Sequence, residues 1–509
     1  MTQNLFETVR AADRAAPFIT TPEGRTISYA NAIDLSGQIA NALTKRGVVP
    51  GDRVAVQVEK SPEAILLYFA CLRAGAVFLP LNTGYTLAEL DYFIGDAEPR
   101  VVVCDPARKA ALEETARARG VSAIETLGIK QDGSLLDLAR TQPSAFEDVA
   151  RAGYDLAAIL YTSGTTGRSK GAMLSHENLA SNARALQETW RYTSRDVLLH
   201  ALPIFHTHGL FVATNLTMLC GASMIFLPKF DPDQIFALMA RATVMMGVPT
   251  FYVRLLQDKR LSVEATRHMR LFIAGSAPLL AETHRAWTAA TGHAILERYG
   301  MTETNMLTSN PYDGERIPGS VGLPLPGVAL RIADPETGAA LPEGDVGMIE
   351  VKGPNVFSGY WRMPEKTKAE FRPGGYFITG DLGKIGPGGY VSIVGRGKDL
   401  VISGGYNVYP KEVETEIDAI PGVIESAVFG APHRDFGEGV TAAIVKHNGT
   451  PLTERDVMAA LDGRLAKFKC PKAILFLDEL PRNTMGKVLK NELRERYQDI
   501  YAQSKTQQG

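Results

Sequence analysis

Residues 161–176 read YTSGTTGRSKGAMLSH. The apolar run at 156–161 ahead of them predicts a buried strand, and 176–190 behind them predicts a helix. Between the two, every residue from 162 to 169 is Thr, Ser, Gly or Arg. Glycines at 164, 167 and 171 let a backbone come close to an anion. The hydroxyls of Thr162, Ser163, Thr165 and Thr166 add donors, and Lys170 adds a positive charge. Such a loop suits a polyphosphate, whose oxygens can be wrapped by backbone N–H groups and short side chains. The Gly-x-x-x-x-Gly-Lys-Ser/Thr pattern of a Walker A loop does not fit here. A flexible Gly/Ser/Thr linker is the alternative, and a place between strand and helix speaks against it.

Working outward, 509 residues exceed what one hydrophobic core serves, so at least two domains are expected. A hydrophobic content of 45% with 22% charged residues is that of a soluble globular chain. The net charge of −2 argues against nucleic-acid binding, which calls for a basic face. No apolar run reaches the length of about 18 residues that a membrane helix needs, and the N-terminus lacks a secretory pattern. Cys71, Cys104, Cys220 and Cys470 are too scattered for a disulfide scaffold or a zinc site. They predict free thiols in a reducing cytoplasm.

Residues 1–150 alternate helical and strand periodicity, which favours a largely parallel sheet covered by helices. The segment 197–210, VLLHALPIFHTHGL, carries three histidines without the further ligands that zinc requires. Residues 245–255 read MMGVPTFYVRL, and 271–280, LFIAGSAPLL, predict an apolar strand ending in a small-residue turn. Residues 297–305 read ERYGMTETN, and 376–382 read YFITGDL. The last 110 or so residues alternate again and predict a small α/β unit. They contain GGY at 404–406 and PRNTMGKVLK at 481–490.

In order and spacing these motifs resemble the acyl-adenylate-forming superfamily, which includes acyl-CoA synthetases, peptide-synthetase adenylation domains and luciferases. The family commonly has Pro before the loop lysine, where this chain has Ser169. The resemblance implies an α/β fold with a large N-terminal domain of β-sheets covered by helices, residues 1–397. A small mobile C-terminal α/β domain, 398–509, would carry the catalytic lysine. It implies ATP, Mg²⁺ and coenzyme A as reactants and cofactors. By the same resemblance Thr162, Ser163, Gly164, Thr165, Thr166, Gly167 and Lys170 meet phosphate. Gly275, Ser276, Ala277 and Pro278 border adenine, and Tyr299 stacks on it, with Gly300 and Met301 beside them. Thr302 meets phosphate, and Glu303 with Thr162 holds Mg²⁺. Asp381 takes the ribose hydroxyls, and Arg396 the ribose or phosphate. Lys398 is the hinge, Gly404 and Gly405 line the pantetheine tunnel, and Lys487 is catalytic.

The implied reaction has two steps: carboxylate and ATP give an acyl-adenylate and pyrophosphate, then CoA displaces AMP. RSKG at 168–171, FHTHGL at 205–210 and TNM at 304–306 look like the malonyl-CoA synthetase branch, with methylmalonate a second substrate. A second carboxylate must not be buried unpaired. A planar guanidinium suits it best, and the resemblance puts Arg254 nearest. His206 and Thr207 then line the acyl pocket, and Thr207 and Met306 flank the C2 carbon. Other acids, a stand-alone adenylation domain and a luciferase-like enzyme are the alternatives. An acetyltransferase and deacetylase acting on Lys487 are the protein partners such enzymes imply.

Overall fold

The computed structural model describes residues 3–162, 169–403, 406–483 and 486–502. Ser163, Gly164, Thr165, Thr166, Gly167, Gly404 and Gly405 therefore lie outside the described residues. Packing divides the chain into two units, residues 1–329 with 351–377, and residues 330–350 with 378–509.

The first unit holds two sheets. In one, six strands run in the order Ala123–Thr126, Val101–Cys104, Arg53–Gln57, Val77–Pro80, Leu156–Thr162, Lys170–Ser175. All its pairings are parallel except the last. The helix Pro62–Arg73, opened by the Ser61 cap, is buried along its whole length. A helix apolar on all sides belongs inside a layered fold. The phosphate loop was expected between a strand and a helix. Instead Lys170–Ser175 pairs antiparallel with Leu156–Thr162, so a strand follows the phosphate loop and the helix His176–Thr189 comes one strand later. Residues 171–175 alternate too weakly to betray a strand beside such a loop.

The second sheet has nine strands. Its middle is parallel: Leu296–Met301, Leu271–Ala274, Val244–Gly247, Val197–His200, Ser223–Phe226 and Pro17–Thr20. Asn305–Ser309 and Thr26–Ser28 add antiparallel neighbours to either side. Met245, Tyr252, Phe272 and Trp287 share one core, in which Trp287 meets the Tyr252 and Phe272 rings edge-on.

The second unit begins with a four-stranded sheet that includes Phe377–Ile385 paired with Val391–Arg396. Its larger part is the long hairpin Val423–His433 and Gly437–Lys446, joined in parallel by Ala473–Leu477. The helices Pro410–Asp418 and Glu454–Leu461 contribute to its core. Packing thus divides the chain before Lys398, which sits on the short turn Gly397–Asp399 inside this unit. No helix among the described residues is long and apolar enough to cross a membrane. The four cysteines are free, with Cys71 and Cys104 buried.

Arg73 shows how the first unit handles a charge far from these motifs. It is 1% exposed and donates to Asp148, the Ile33 and Phe146 carbonyls and Ser36. Arg73→Met removes one donor from each of these acceptors, although Asp148 keeps Arg10 and the Ile33 carbonyl keeps Ser36, and losing a charged hydrogen-bonding group costs about 1.5–3 kcal/mol. All three tryptophans, Trp190, Trp287 and Trp361, lie in this unit. The expected result is therefore a lower denaturant midpoint by tryptophan fluorescence. An unchanged midpoint contradicts the account.

Candidate active site

Parallel strands present their carboxyl ends on one side, and ligands of open α/β sheets bind there. Each motif of the first unit follows such an end. Residues 201–208 follow Val197–His200, the helix Pro249–Leu256 follows Val244–Gly247, GSAP follows Leu271–Ala274, and 302–304 follow Leu296–Met301. One edge of the sheet thus assembles segments scattered over a hundred residues.

His206, Thr207 and His208 enter a π-helical stretch, His208–Thr214, a widened turn frequent at functional sites. Thr207 is 2% exposed. Hydrogen bonds engage the histidines: His200 Nε2 with the Gly209 carbonyl at 2.9 Å, His206 Nδ1 accepting from the His208 N–H, and His208 Nδ1 with the Ser276 hydroxyl at 3.2 Å. Burial lowers the pKa of His208 well below the usual value, and Arg298 and the neighbouring histidines push the same way. His208 is neutral at pH 7.

Arg298 was missed in the sequence, although it stands inside the quoted ERYGMTETN. It is 3% exposed, and its Nε and Nη2 have no hydrogen-bond partner among the described residues. The guanidinium lies against Gly275, where a Cβ would come within 2.5 Å of it. Burial draws its pKa down to about 9, with Tyr252 and Glu297 resisting, so it remains charged at neutral pH. Thr207 Oγ1, His208 Nε2 and both amide atoms of Asn305 also lack partners. Ser276 and Asn305 hold positive φ of 73° and 50°, which side-chain-bearing residues seldom adopt away from functional sites. Buried polar groups are normally satisfied, and this concentration of unsatisfied ones marks a place for a polar ligand. The signal in the sequence was a charge in the middle of a buried strand.

Met306 is 2% exposed, and its Cε lies close to Gly300, its partner in register across the adjacent strands. Arg254 is on the last turn of Pro249–Leu256, and its side chain is exposed. Of the adenine set, Gly275 and Tyr299 are buried, while Ser276 and Ala277 are half-buried and Pro278 is exposed.

Among the phosphate residues, Lys170 sits over the Tyr360 ring at 4.2 Å and 3.5 Å from Glu370. Thr162 Oγ1 is 3.5 Å from the Lys170 carbonyl. Glu303 is 5% exposed and accepts from the Tyr360 hydroxyl at 3.0 Å. The Glu303 carboxylate and the Thr162 hydroxyl are oxygen donors of the kind Mg²⁺ takes, with phosphate and water oxygens completing its shell.

In the second unit Asp381, 4% exposed, pairs with Arg396 at 2.8 Å. Asp399 pairs with Arg494 at 2.9 Å. Lys487 and Asn483 are bonded to each other twice: the Lys487 N–H donates to Asn483 Oδ1, and the Asn483 N–H donates to the Lys487 carbonyl. Arg482 braces it, donating to the Gly486 carbonyl and pairing with Glu425.

The Lys487 side chain keeps contact with solvent, yet its pKa falls from 10.5 to about 8. Desolvation is the main cause. Arg396 and Lys398 add to it, and Asp381 and Asp399 oppose it. The folded chain therefore holds this proton less tightly than the unfolded one. Lys487 works against folding below pH 8, and that penalty fades as pH rises toward 10.5. Competitive acetic anhydride labelling, read by mass spectrometry against pH, is expected to give Lys487 a midpoint near 8. A midpoint at the ordinary lysine value contradicts this.

Residues 6–361 match the family described as AMP-binding enzyme, and residues 412–487 match its C-terminal domain. The malonate–CoA ligase of Arabidopsis thaliana is 35% identical over 490 residues, 88% of this chain and 78% of that protein. A feruloyl-CoA synthase of Amycolatopsis is 36% identical over 479 residues, 93% and 94% of the two chains. The crystal structure of ATP-bound MatB from Rhodopseudomonas palustris is 65% identical, covers 98% of this chain and 100% of its own, and superposes with a TM-score of 0.97. The family model spans well over half of the chain and relatives above 30% identity cover most of it, so the chain belongs to the AMP-binding enzyme family.

Proposed function

We propose that this chain is an ATP-dependent malonyl-CoA synthetase that also takes methylmalonate, working through an acyl-adenylate and releasing AMP and pyrophosphate. Relatives at almost equal identity are named for malonate and for ferulate, so overall identity does not choose the acid. Arg298 does. A fatty tail has no acceptor for a buried guanidinium with unpaired donors, and a feruloyl tail brings only neutral phenol and methoxy oxygens. A second carboxylate offers two oxygens to its fork, and the neighbouring Thr207 hydroxyl can complete the set. Arg254, exposed at its helix end, supplies an outer positive charge. Thr207 and Met306 limit the substituent on C2.

In the first step Lys170, Thr162 and the loop at 163–167 bind phosphates. Gly275 to Pro278 and Tyr299, with Gly300 and Met301 beside them, hold the adenine, and Thr302 holds a phosphate oxygen. Glu303 and Thr162 hold Mg²⁺, whose charge offsets that of the phosphates when it is bound. Asp381 and Arg396 take the ribose end. Lys487 contacts the acid and the α-phosphate, where in-line attack needs position and charge neutralisation above all. A turn of residues 398–509 about Lys398 then exchanges Lys487 for Gly404 and Gly405, which line the pantetheine path. An exposed lysine with its pKa lowered to about 8 has a larger neutral fraction at neutral pH than an ordinary one, which also suits reversible acetylation, by an acetyltransferase and deacetylase, in the cytoplasm.

Two experiments test the reading. Wild type is expected to prefer malonate, then methylmalonate, over acetate, butyrate and coumarate. Arg298→Met is expected to lose kcat/KM for the dicarboxylates by at least about 100-fold more than for the others, the scale of one severed buried charge pair. Equal loss on every acid rejects the dicarboxylate reading and leaves the family untouched. Separately, Lys487→Ala should lower malonate-dependent pyrophosphate exchange by more than about 100-fold. It should still make thioester from supplied malonyl-adenylate. Equal loss of both half-reactions removes Lys487 from the first step.

A further inference from the structure

Lys60 precedes the fully buried helix Pro62–Arg73 and is itself only 8% exposed. None of the proposed chemistry uses it. No carboxylate pairs with it among the described residues, and burial lowers its pKa well below the ordinary value. Buried lysines of this kind are costly and are seldom kept without a role.

The Lys60 Nζ donates to the His200 carbonyl at 2.9 Å and lies 3.0 Å from His200 Nδ1, over the Phe226 ring. On the far side of the imidazole, Nε2 lies 2.9 Å from the Gly209 carbonyl. A carbonyl can only accept, so Nε2 carries the proton and Nδ1 accepts from Lys60. The amine therefore fixes the one tautomer that can hold Gly209. Gly209 has no slack: a Cβ there would come 2.1 Å from the Pro203 carbonyl, and its own carbonyl also accepts from Thr214. Thr207 and His208 are the two residues just ahead of it. Lys60 is 140 residues from His200 and comes from beside the other sheet, so this link fixes the Thr207 wall relative to that sheet.

We infer that Lys60 is a positioning residue for the acyl group: through His200 and Gly209 it sets where the Thr207 wall stands, and so which substituents on C2 the pocket admits. The inference rests on Thr207 lining that pocket, and the wild-type preference for malonate tests that reading on its own.

The test compares Lys60→Met, which keeps the bulk and loses the donor, with Lys60→Gln, which can still donate to His200. The readout is kcat/KM for malonate, methylmalonate and ethylmalonate, with KM for ATP as the control. Lys60→Met is expected to change the ethylmalonate-to-malonate ratio about tenfold, the size of one methyl group misplaced in a pocket, through KM for the acid. KM for ATP is expected to stay within about twofold, because the nucleotide groups lie on other strand ends. Lys60→Gln should return the ratio toward wild type. An unchanged ratio in Lys60→Met, or an equal loss on all three acids, overturns the inference. Should Lys60→Met fail to fold, His200→Gln, which keeps a donor near Gly209, is set against His200→Asn, which does not reach it. A ratio shift in His200→Asn alone supports the link, and equal ratios in the two overturn it.

Discussion

The structure of the first unit depends on the parallel pairing that brings the strands Val197–His200, Val244–Gly247, Leu271–Ala274 and Leu296–Met301 to end on one side. Each end is a place where backbone stops bonding backbone, and the next few residues must find other partners. Here those residues are His, Thr, Ser, Arg, Glu and Asn. Several of them keep buried polar atoms without partners. Each such atom costs about 1–3 kcal/mol, a loss that only a large, close-packed core can carry. The Tyr252, Phe272 and Trp287 cluster lies directly beneath these strand ends. Stability and site are thus coupled through the same four strands.

The second unit handles charge differently. It sets Asp381 against Arg396 and Asp399 against Arg494, so the aspartates already have cationic partners. Lys487 lies among these charges, and its proton is loosened chiefly by desolvation and further by Arg396 and Lys398. A lysine held this way can serve as a cation near neutral pH and is sensitive to small changes in its surroundings. The loop that carries it is braced on one side by Arg482 and Glu425. It is therefore held in place without being buried in the core.

Legibility in the sequence followed the kind of force at work. The α/β alternation and the small C-terminal unit were readable because hydrophobic periodicity survives in the chain. The order of motifs gave the family before any coordinates. The antiparallel pairing within 156–175 was not readable, since Lys170–Ser175 is short and borders a loop whose composition dominates the window. Arg298 was overlooked for another reason. Its meaning lies in burial and in the absence of partners, and neither is written in ERYGMTETN. Lys60 was silent for the same cause: a lysine before Ser-Pro reads as a solvated surface residue until His200 is seen beside it.

In the function proposed above, Arg254 and Arg298 divide the problem of a doubly charged acid by depth. An exposed guanidinium acts across high dielectric, so it attracts a dianion over distance while adding little selectivity once the acid has arrived. A buried one gains more from each contact, and it penalises any acid that leaves its donors unpaired. Rejection of a monocarboxylate then needs no steric clash, only the failure to supply two oxygens. The smaller distinction between malonate and its C2-substituted relatives cannot come from charge, because all carry the same two carboxylates. It must come from the position of an apolar and hydroxyl-bearing wall. In the proposed reading Thr207 and Met306 form that wall from two different segments. Met306 is held by Asn182 through its backbone N–H and carbonyl. The Thr207 hydroxyl has no partner among the described residues, and two residues on, Gly209 is held through His200 from Lys60.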